Sequence, residues 1–203
     1  LEEHAGPFQI DSVAPTLNPT VSPNPPTLGG AATATPNASD ATSGIASQSC
    51  DPVNTSSVGA KTLTCTATDN AGNTNSIVVH YSVGYAVSTV SPIVAAPSVN
   101  SLYLLGIGTT ATPIKWTLKN AAGTPITAAG TVTGIAYKVN PGCGTFPTDP
   151  TGATAASVTG TNPKYDTLQR AWVYNWILPG RGCYSLFITL NSGQTLTLFY
   201  HSY

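Results

Sequence analysis

Small apolar and polar residues alternate most regularly in residues 61–83. Leu63, Cys65 and Ala67 take every second position, and threonines fill the positions between them. Successive side chains of a β-strand point to opposite faces, so this period of two predicts a strand with one buried face. A polar turn at residues 69–73 separates it from a second alternating run. The pattern therefore predicts a β-hairpin.

The same period of two returns in the second half of the chain. Ile114, Trp116 and Leu118 alternate with polar residues, and residues 191–193 (Asn-Ser-Gly) have the composition of a tight hairpin turn. Further strands are predicted at residues 45–50, 131–139, 171–178, 183–190 and 194–200. No segment has a convincing helical period, so the sequence predicts an all-β fold of two consecutive β-sandwich modules.

Proline-rich and turn-rich stretches divide the chain into three predicted parts. Residues 1–11 are a leading strand or the tail of a preceding module, residues 12–84 a first β-sandwich, and residues 85–203 a second one. The second boundary precedes residues 85–100, which contain Pro92 and Pro97 and have little periodicity. We interpret this segment as the linker and the first edge strand of the second module.

Composition excludes several classes of function. Charged residues make up 7% of the chain, against about a quarter in ordinary globular proteins, whereas 19 Gly and 17 Pro favour turns between strands. Apolar residues reach 41%, which argues against a disordered chain. The formal net charge is −1 and the charges are scattered, so we expect no nucleic-acid binding. No apolar run approaches the roughly 20 residues of a membrane span.

The four cysteines are Cys50, Cys65, Cys143 and Cys183. They form no C-x-x-C pair, and no histidine stands at metal-ligand spacing beside them, so zinc explains them poorly. Two disulfides explain them better and indicate an extracellular protein. Of the three pairings that four cysteines allow, we favour Cys50–Cys65 and Cys143–Cys183, because each pair stays within one predicted module.

Several motifs occur in order along residues 12–84. They are VAPT at 13–16, DATSGI at 40–45, Cys50, VG at 58–59, TLTCTATD at 62–69 and AGN at 71–73. On these motifs the first module resembles the HYR and related immunoglobulin-like repeats of bacterial surface proteins. The resemblance implies an immunoglobulin-like β-sandwich that serves as a spacer or adhesive unit in secreted and surface-anchored proteins.

A different set of residues characterises the second module. Pro-Ile-Lys-Trp at 113–116 is followed by Leu118, Gly123, Cys143, Tyr165, Asp166, Gln169, Tyr174, Trp176, Cys183, Leu186, Leu190, Gly193 and Phe199. On these residues the module resembles a PxKF domain, a small β module found near the C-termini of secreted bacterial proteins. Trp116 stands where that family has Phe and Ile114 where it has Val, and both should preserve the inward apolar face. No catalytic role is attached to that family.

The turn after the first hairpin strand carries oxygen-bearing side chains. Asp69, Asn70 and Asn73 lie on it, and Asp11 or Asp40 is a further candidate to approach them in space. Calcium prefers six to eight oxygen ligands, so these residues are a candidate calcium site. The alternative, which we favour, is that the side chains stabilise the turn through hydrogen bonds to the backbone, because the motif itself holds one carboxylate.

Three aromatic residues alternate on one predicted strand: Trp172, Tyr174 and Trp176. An exposed row of this kind is a platform on which sugars stack. Core packing explains the same spacing without a ligand, because the strands of a β-sandwich bury alternate residues. We favour the core interpretation.

The remaining candidate residues are weaker. Asn37 and Asn54 begin N-glycosylation sequons, a short motif that also matches by chance. His4, His80 and His201 lie far apart and lack the neighbours of a nucleophile elbow or a metal-binding helix. We therefore expect no catalytic residues and no enzymatic activity.

These observations leave three classes of function. The first is a rigid, disulfide-stapled structural or adhesive spacer at the C-terminal end of a secreted or surface protein, with calcium as the one candidate cofactor. The second is a filament subunit that donates residues 1–11 as a strand, with Phe8 and Ile10 as apolar anchors and the following Val13 as a further candidate. The third is a carbohydrate-binding module. The corresponding partners are other modules of the same polypeptide, copies of the chain, and surface glycans.

Overall fold

The structure is a computed structural model that describes residues 10–102, 111–156 and 163–203. The chain divides into two compact units. Most of the first 82 residues form the first unit, and Val83–Tyr203 forms most of the second. The second unit also takes in two short segments of the predicted first module, Thr27–Gly30 and Ser56–Gly59. Residues 1–9 of the predicted leading strand lie outside the described residues.

Strands account for nearly all regular structure in the first part of the chain. Their bounds are β1 Thr16–Leu17, β2 Thr20–Ser22, β3 Thr33–Thr35, β4 Ala38–Ser39, β5 Ile45–Cys50, β6 Gly59–Asp69 and β7 Thr74–Val83. β1 pairs with β4 and β2 with β3, while β5, β6 and β7 form a three-stranded sheet in that order. The hairpin predicted from the alternation in residues 61–83 is therefore present as β6 and β7.

The burial of β6 follows the predicted period of two. Leu63, Cys65 and Ala67 are buried, and the threonines between them face away from this core. The register of β5 and β6 places Cys50 opposite Cys65, and the two form a disulfide across the strands. The bond closes a sequence separation of 15 residues, which is worth roughly 3 kcal/mol in the chain-entropy model.

Among the described residues of the second unit there are nine further strands. They are β8 Ala86–Thr89, β9 Val99–Leu102, β10 Ala111–Lys119, β11 Val132–Asn140, β12 Thr154–Ala155, β13 Lys164–Asp166, β14 Ala171–Ile177, β15 Gly182–Leu190 and β16 Thr195–Ser202. One sheet has the strand order β13-β14-β10-β8, and the other has the order β12-β11-β15-β16-β9. β9 runs parallel to β16 at the edge of the five-stranded sheet.

The two sheets of the second unit pack face to face around one hydrophobic core. Alternate residues of β10 and β14 from one sheet meet alternate residues of β15 and β16 from the other. At the centre, the Trp176 ring lies 5.7 Å from the Tyr184 ring and 5.4 Å from the Tyr200 ring, both in edge-to-face contact. The unit is therefore a β-sandwich, and the predicted all-β fold is confirmed.

The outer face of the five-stranded sheet is covered by the chain that follows β11. A short 3₁₀ turn, Pro141–Cys143, begins this segment. Cys143 forms the second disulfide with Cys183 on β15, and further along Phe146 stacks on Phe199 of β16 with ring centroids 4.7 Å apart. Both favoured disulfide pairings, Cys50–Cys65 and Cys143–Cys183, are thus confirmed, with one bond in each unit.

The position of Leu186 in this core yields a stability prediction. Leu186 on β15 is fully buried, so Leu186→Ala should lower the free energy of unfolding by about 2–5 kcal/mol through lost burial and a residual cavity. Urea denaturation followed by tryptophan fluorescence measures this directly, because all three tryptophans lie in the second unit. Val139→Ala, at an exposed position of the same sheet, is the matched control and should cost less than about 1 kcal/mol. Equal losses in the two variants would contradict the assigned core.

Candidate functional site

The turn between β6 and β7 is organised by the side chain of Asp69. Its Oδ1 accepts hydrogen bonds from the backbone N–H groups of Ala71 (2.9 Å) and Asn73 (2.8 Å). Its Oδ2 accepts a third from the Asn73 side-chain amide at 2.8 Å. Gly72 adopts a φ of +92°, which suits a residue without a Cβ. Asp69 therefore stabilises this turn by accepting backbone hydrogen bonds, which is the interpretation that we favoured from the sequence.

A second aspartate organises the turn that precedes β5. Oδ1 of Asp40 accepts hydrogen bonds from the backbone N–H groups of Thr42 (3.0 Å), Ser43 (2.8 Å) and Gly44 (3.1 Å). Asn70 joins this turn to the β6–β7 turn, because its backbone N–H donates to the Gly44 carbonyl at 3.0 Å and its side-chain amide donates to the Ser43 carbonyl at 2.7 Å. The two turns are thus held side by side.

The segment before β1 brings a third aspartate to the same place. Oδ1 of Asp11 accepts a hydrogen bond from the Val13 N–H at 2.9 Å. The Asn73 side-chain amide lies within hydrogen-bonding distance of the carbonyls of Asp11 (3.2 Å) and Val13 (3.3 Å), and the Asn75 amide donates to the Pro15 carbonyl at 2.8 Å. These contacts fasten residues 11–15 to the start of β7.

Carboxylate oxygens of Asp11, Asp40 and Asp69 consequently lie within 4.8 Å of one another. We call this group the aspartate cluster. Two oxygens bound to one Ca²⁺ at about 2.4 Å lie at most about 4.8 Å apart, so the spacing of the cluster is compatible with a shared calcium ion. Oδ2 of Asp11 is buried and has no hydrogen-bond partner.

The hydrogen bonds of the turns keep two of these carboxylates charged. Burial, the largest single effect on Asp69, favours its neutral form, but hydrogen bonds from Asn73, Ala71 and Gly72 together hold its pKa below the usual 3.8. The pKa of Asp40 is also lowered, chiefly by the backbone N–H of Ser43, against the opposing effect of burial. Like charges at this distance repel one another, and a bound cation would relieve that repulsion.

The structure adds Asp40 to the candidate calcium site. The predicted set was Asp69, Asn70, Asn73 and Asp11, with Asp40 as a further candidate to approach them. Asn70 and Asn73 donate their side-chain nitrogens to hydrogen bonds that hold the turns together, whereas an asparagine binds calcium through its amide oxygen. Their place in the site therefore stays a prediction. Asp40 brings its carboxylate to the same place as Asp11 and Asp69.

The aromatic row of β14 does not form a sugar platform. Trp172, Tyr174 and Trp176 are 3%, 2% and 0% exposed. Trp172 stacks on Trp116 at 6.4 Å, and its Nε1 donates to the Ile126 carbonyl at 2.8 Å. Trp172 and Tyr174 border a cavity of about 500 Å³, but they leave almost no ring surface for a sugar. The carbohydrate-binding interpretation of these residues is wrong, because their alternate positions face the opposite sheet.

Both sequon asparagines are exposed, in different local settings. The side-chain amide nitrogen of Asn37, the atom that would carry a sugar, donates to the Asn18 carbonyl at 3.0 Å and approaches Thr20 Oγ1 at 3.3 Å. At Asn54 the backbone N–H donates to the Tyr81 hydroxyl at 2.9 Å. Glycosylation at either position stays a prediction.

A histidine that the sequence did not connect with the cysteines lies beside one disulfide. His201 on β16 is directly opposite Cys183 on β15, and an imidazole nitrogen lies within 4.8 Å of the sulfurs of Cys183 and Cys143. No histidine stands at metal-ligand spacing beside the cysteines in the sequence, but the fold brings His201 to one pair of them. The predicted hairpin turn at residues 191–193 is the sequence feature that locates this histidine. Pairing residues outward from the turn, one by one, sets Cys183 opposite His201.

Comparisons with known proteins give little further identification. Neither a protein-family model nor a curated protein matches the chain. Among solved structures, the chain is similar to the fibronectin(III)-like modules of CbhA from Clostridium thermocellum, at 13% identity over 93% of each chain and a TM-score of 0.28. A likeness this low carries no argument. In the described parts of the chain, no helix is both long and apolar enough to span a bilayer.

The lowered pKa of Asp69 predicts an acid-sensitive first unit. Because the pKa is lower in the folded state than in the unfolded state, the charged carboxylate stabilises the fold above about pH 4. This stabilisation is lost as the pH falls through the lowered pKa. In EDTA, Asp69→Asn should therefore make the free energy of unfolding less steeply dependent on pH below about pH 4.

Urea denaturation at several pH values, followed by far-UV circular dichroism, measures this slope. Ser49→Ala, a neutral change on β5 of the same unit, should keep the slope of the unmodified chain. Tryptophan fluorescence reports on the second unit. The stability that it measures should depend on pH in the same way in the unmodified chain, Asp69→Asn and Ser49→Ala. An unchanged slope in Asp69→Asn would rule out this role for the carboxylate.

Proposed function

We propose that this chain is a non-catalytic structural or adhesive module, a disulfide-stapled spacer of a secreted or cell-surface protein. The observation that carries the proposal is that each unit contains its own disulfide, Cys50–Cys65 in the first and Cys143–Cys183 in the second. Structural disulfides persist in oxidising compartments and are rare in the reducing cytosol. The resemblance of the two modules to HYR and PxKF domains supports the same compartment and role.

The arrangement of potential reactive groups supports a non-catalytic role. A nucleophile or general base needs a partner that activates or orients it. Asp40 and Asp69 are instead engaged by backbone N–H groups of their own turns. His80 is exposed on β7 of the first unit, and His201 lies beside a disulfide in the second.

A filament subunit is the second candidate function, and the exposure of two apolar residues favours it. Ile10 in the predicted exchanged segment is 84% exposed, and Val13, two residues beyond that segment, is 61% exposed. A donated strand needs apolar anchors that fill a groove on its acceptor. Phe8, the third predicted anchor, lies outside the described residues.

The two candidates differ in the assembly state of the purified chain. As a spacer, the chain should be monomeric with and without residues 1–11, as measured by sedimentation and negative-stain electron microscopy. As a filament subunit, it should assemble only when residues 1–11 are present. Val78→Ser, at an exposed apolar position of β7, is the control for Ile10→Ser, because it removes similar apolar surface outside the predicted donor strand. Filaments that disappear in Ile10→Ser but persist in Val78→Ser would replace the spacer proposal.

We further propose that the aspartate cluster stiffens the first unit by binding calcium. The specific observation is that three aspartates from separate parts of the chain converge within 4.8 Å, with Oδ2 of Asp11 buried and without a hydrogen-bond partner. The segment at Asp11 and the turns at Asp40 and Asp69 would be tied together by one ion. Backbone carbonyls and water would complete the oxygen shell that Ca²⁺ requires.

Calcium should therefore raise the stability of the first unit. After treatment with EDTA, free Ca²⁺ at about 100 times its dissociation constant should add about 2.7 kcal/mol to the free energy of unfolding. Asp40→Asn should abolish most of this gain, because the amide keeps an oxygen for the turn but loses the charge. Asp51→Asn, an exposed aspartate of the same unit, is the control and should respond like the unmodified chain. No stabilisation at millimolar Ca²⁺, or an equal gain in Asp40→Asn, would exclude the site.

A further inference from the structure

The second disulfide has a potential metal ligand beside it, placed there by strand register. β15 and β16 pair in continuous register from Gly182–Ser202 to Thr189–Thr195, and this register sets Cys183 opposite His201. Directly opposite residues of an antiparallel pair lie on the same face of the sheet, with Cβ atoms about 4.5–5.5 Å apart. Cys183 and His201 therefore share the outer face, while Tyr184 and Tyr200 beside them face the core.

The distances fit a metal once the sulfurs are separated. The two sulfurs and one imidazole nitrogen lie within 4.8 Å of one another. In a tetrahedral zinc site, with Zn–S of about 2.3 Å and Zn–N of about 2.0 Å, neighbouring ligand atoms lie about 3.5–3.8 Å apart. The nitrogen thus lies no more than about 1.3 Å beyond its required distance from a sulfur. The two sulfurs need to part by less than about 2 Å.

The chain around Cys143 has room for that movement. Cys143 is exposed and follows Gly142, which has a φ of +75°, and it precedes Gly144. A Cβ added to either glycine would meet no atom within 4 Å, so the chain has open space beside both of these positions. Cys183 is buried on β15 and His201 is half-buried under Tyr203, whose ring lies 4.0 Å away. Two ligands are therefore held by strands and the third is on an open turn.

The first disulfide provides a comparison within the same molecule. Cys50 and Cys65 also lie on paired strands. Among the described residues, however, no group of three or more potential ligands includes Cys50 or Cys65. The Cys143–Cys183 disulfide therefore differs from Cys50–Cys65 in having a histidine, His201, close to its sulfurs.

We propose that reduction of Cys143–Cys183 creates a Zn²⁺ site formed by the two thiolates and the His201 imidazole, with a fourth position open to solvent. A dithiol supplies two electrons and two protons, breaks the S–S bond, and is itself oxidised to a disulfide. Zn²⁺ then displaces the two thiol protons and accepts the lone pair of the neutral imidazole. In the oxidised chain both sulfurs are bonded to each other, and the site does not exist. Metal would take over the cross-link between the turn and β15 when the disulfide is lost.

Cobalt substitution tests the ligand set. The full chain is reduced with a dithiol, freed of reductant without air, and titrated with Co²⁺, whose thiolate complexes absorb in the near ultraviolet and visible. The reduced chain should bind one Co²⁺ per molecule, displaceable by Zn²⁺, and the oxidised chain should show no such absorption. His201→Ala should weaken binding at least about tenfold, whereas His80→Ala, the control histidine on β7, should not change it.

Protection from alkylation provides a second measurement that does not depend on cobalt absorption. With Zn²⁺ present, iodoacetamide should modify Cys143 and Cys183 of the reduced chain more slowly than Cys50 and Cys65, as read by peptide mass spectrometry. Without Zn²⁺, or in His201→Ala, this selective protection should disappear. Equal protection of the two pairs, an affinity unaffected by His201→Ala, or a reduced chain that binds no metal would overturn the proposal.

Discussion

Antiparallel strand register is the constraint on which the rest of this structure depends. A shift of one residue in the pairing of two strands moves every side chain to the opposite face of the sheet. The observed registers set Cys50 opposite Cys65, Trp116 opposite Trp172, and Cys183 opposite His201. In the first unit, register thus determines which cysteines form the disulfide. In the second unit, it determines a contact between two core tryptophans and places a histidine beside the disulfide.

The two units differ in the side chains that their paired strands bury. The second buries a continuous set of large aromatic and aliphatic side chains, among them Trp116, Trp176 and Tyr200. In the first, the buried positions of β6 hold the smaller Leu63, Cys65 and Ala67. A small core yields little hydrophobic stabilisation, so a unit of this kind depends more on cross-links. The Cys50–Cys65 disulfide and the hydrogen-bonded turns around Asp40 and Asp69 meet that need.

The local sequence pattern predicts the long strands and the disulfide pairings of this protein well. The period of two located β6, β10, β15 and β16, and cysteine positions within one module predicted both disulfides. Relations across the fold were harder. β9 is four residues long and pairs in parallel with β16, so it has neither a long alternation nor a hairpin turn to mark it. The position of His201 beside Cys183 follows from the residue-by-residue register of the hairpin, which alternation alone does not give.

In the aspartate cluster, a few charged side chains order two turns because each one accepts specific hydrogen bonds. Charged residues make up 7% of the chain, and a surface this poor in ions cannot depend on salt-bridge networks. Asp40 and Asp69 instead accept backbone N–H groups, which lowers the pKa of each and fixes the two turns from within. The same turns hold carboxylate oxygens of Asp40 and Asp69 within 4.8 Å of each other and of Asp11. Ordering the turns therefore concentrates negative charge at one point, and a fold that stabilises its loops in this way creates a potential cation site as a direct consequence.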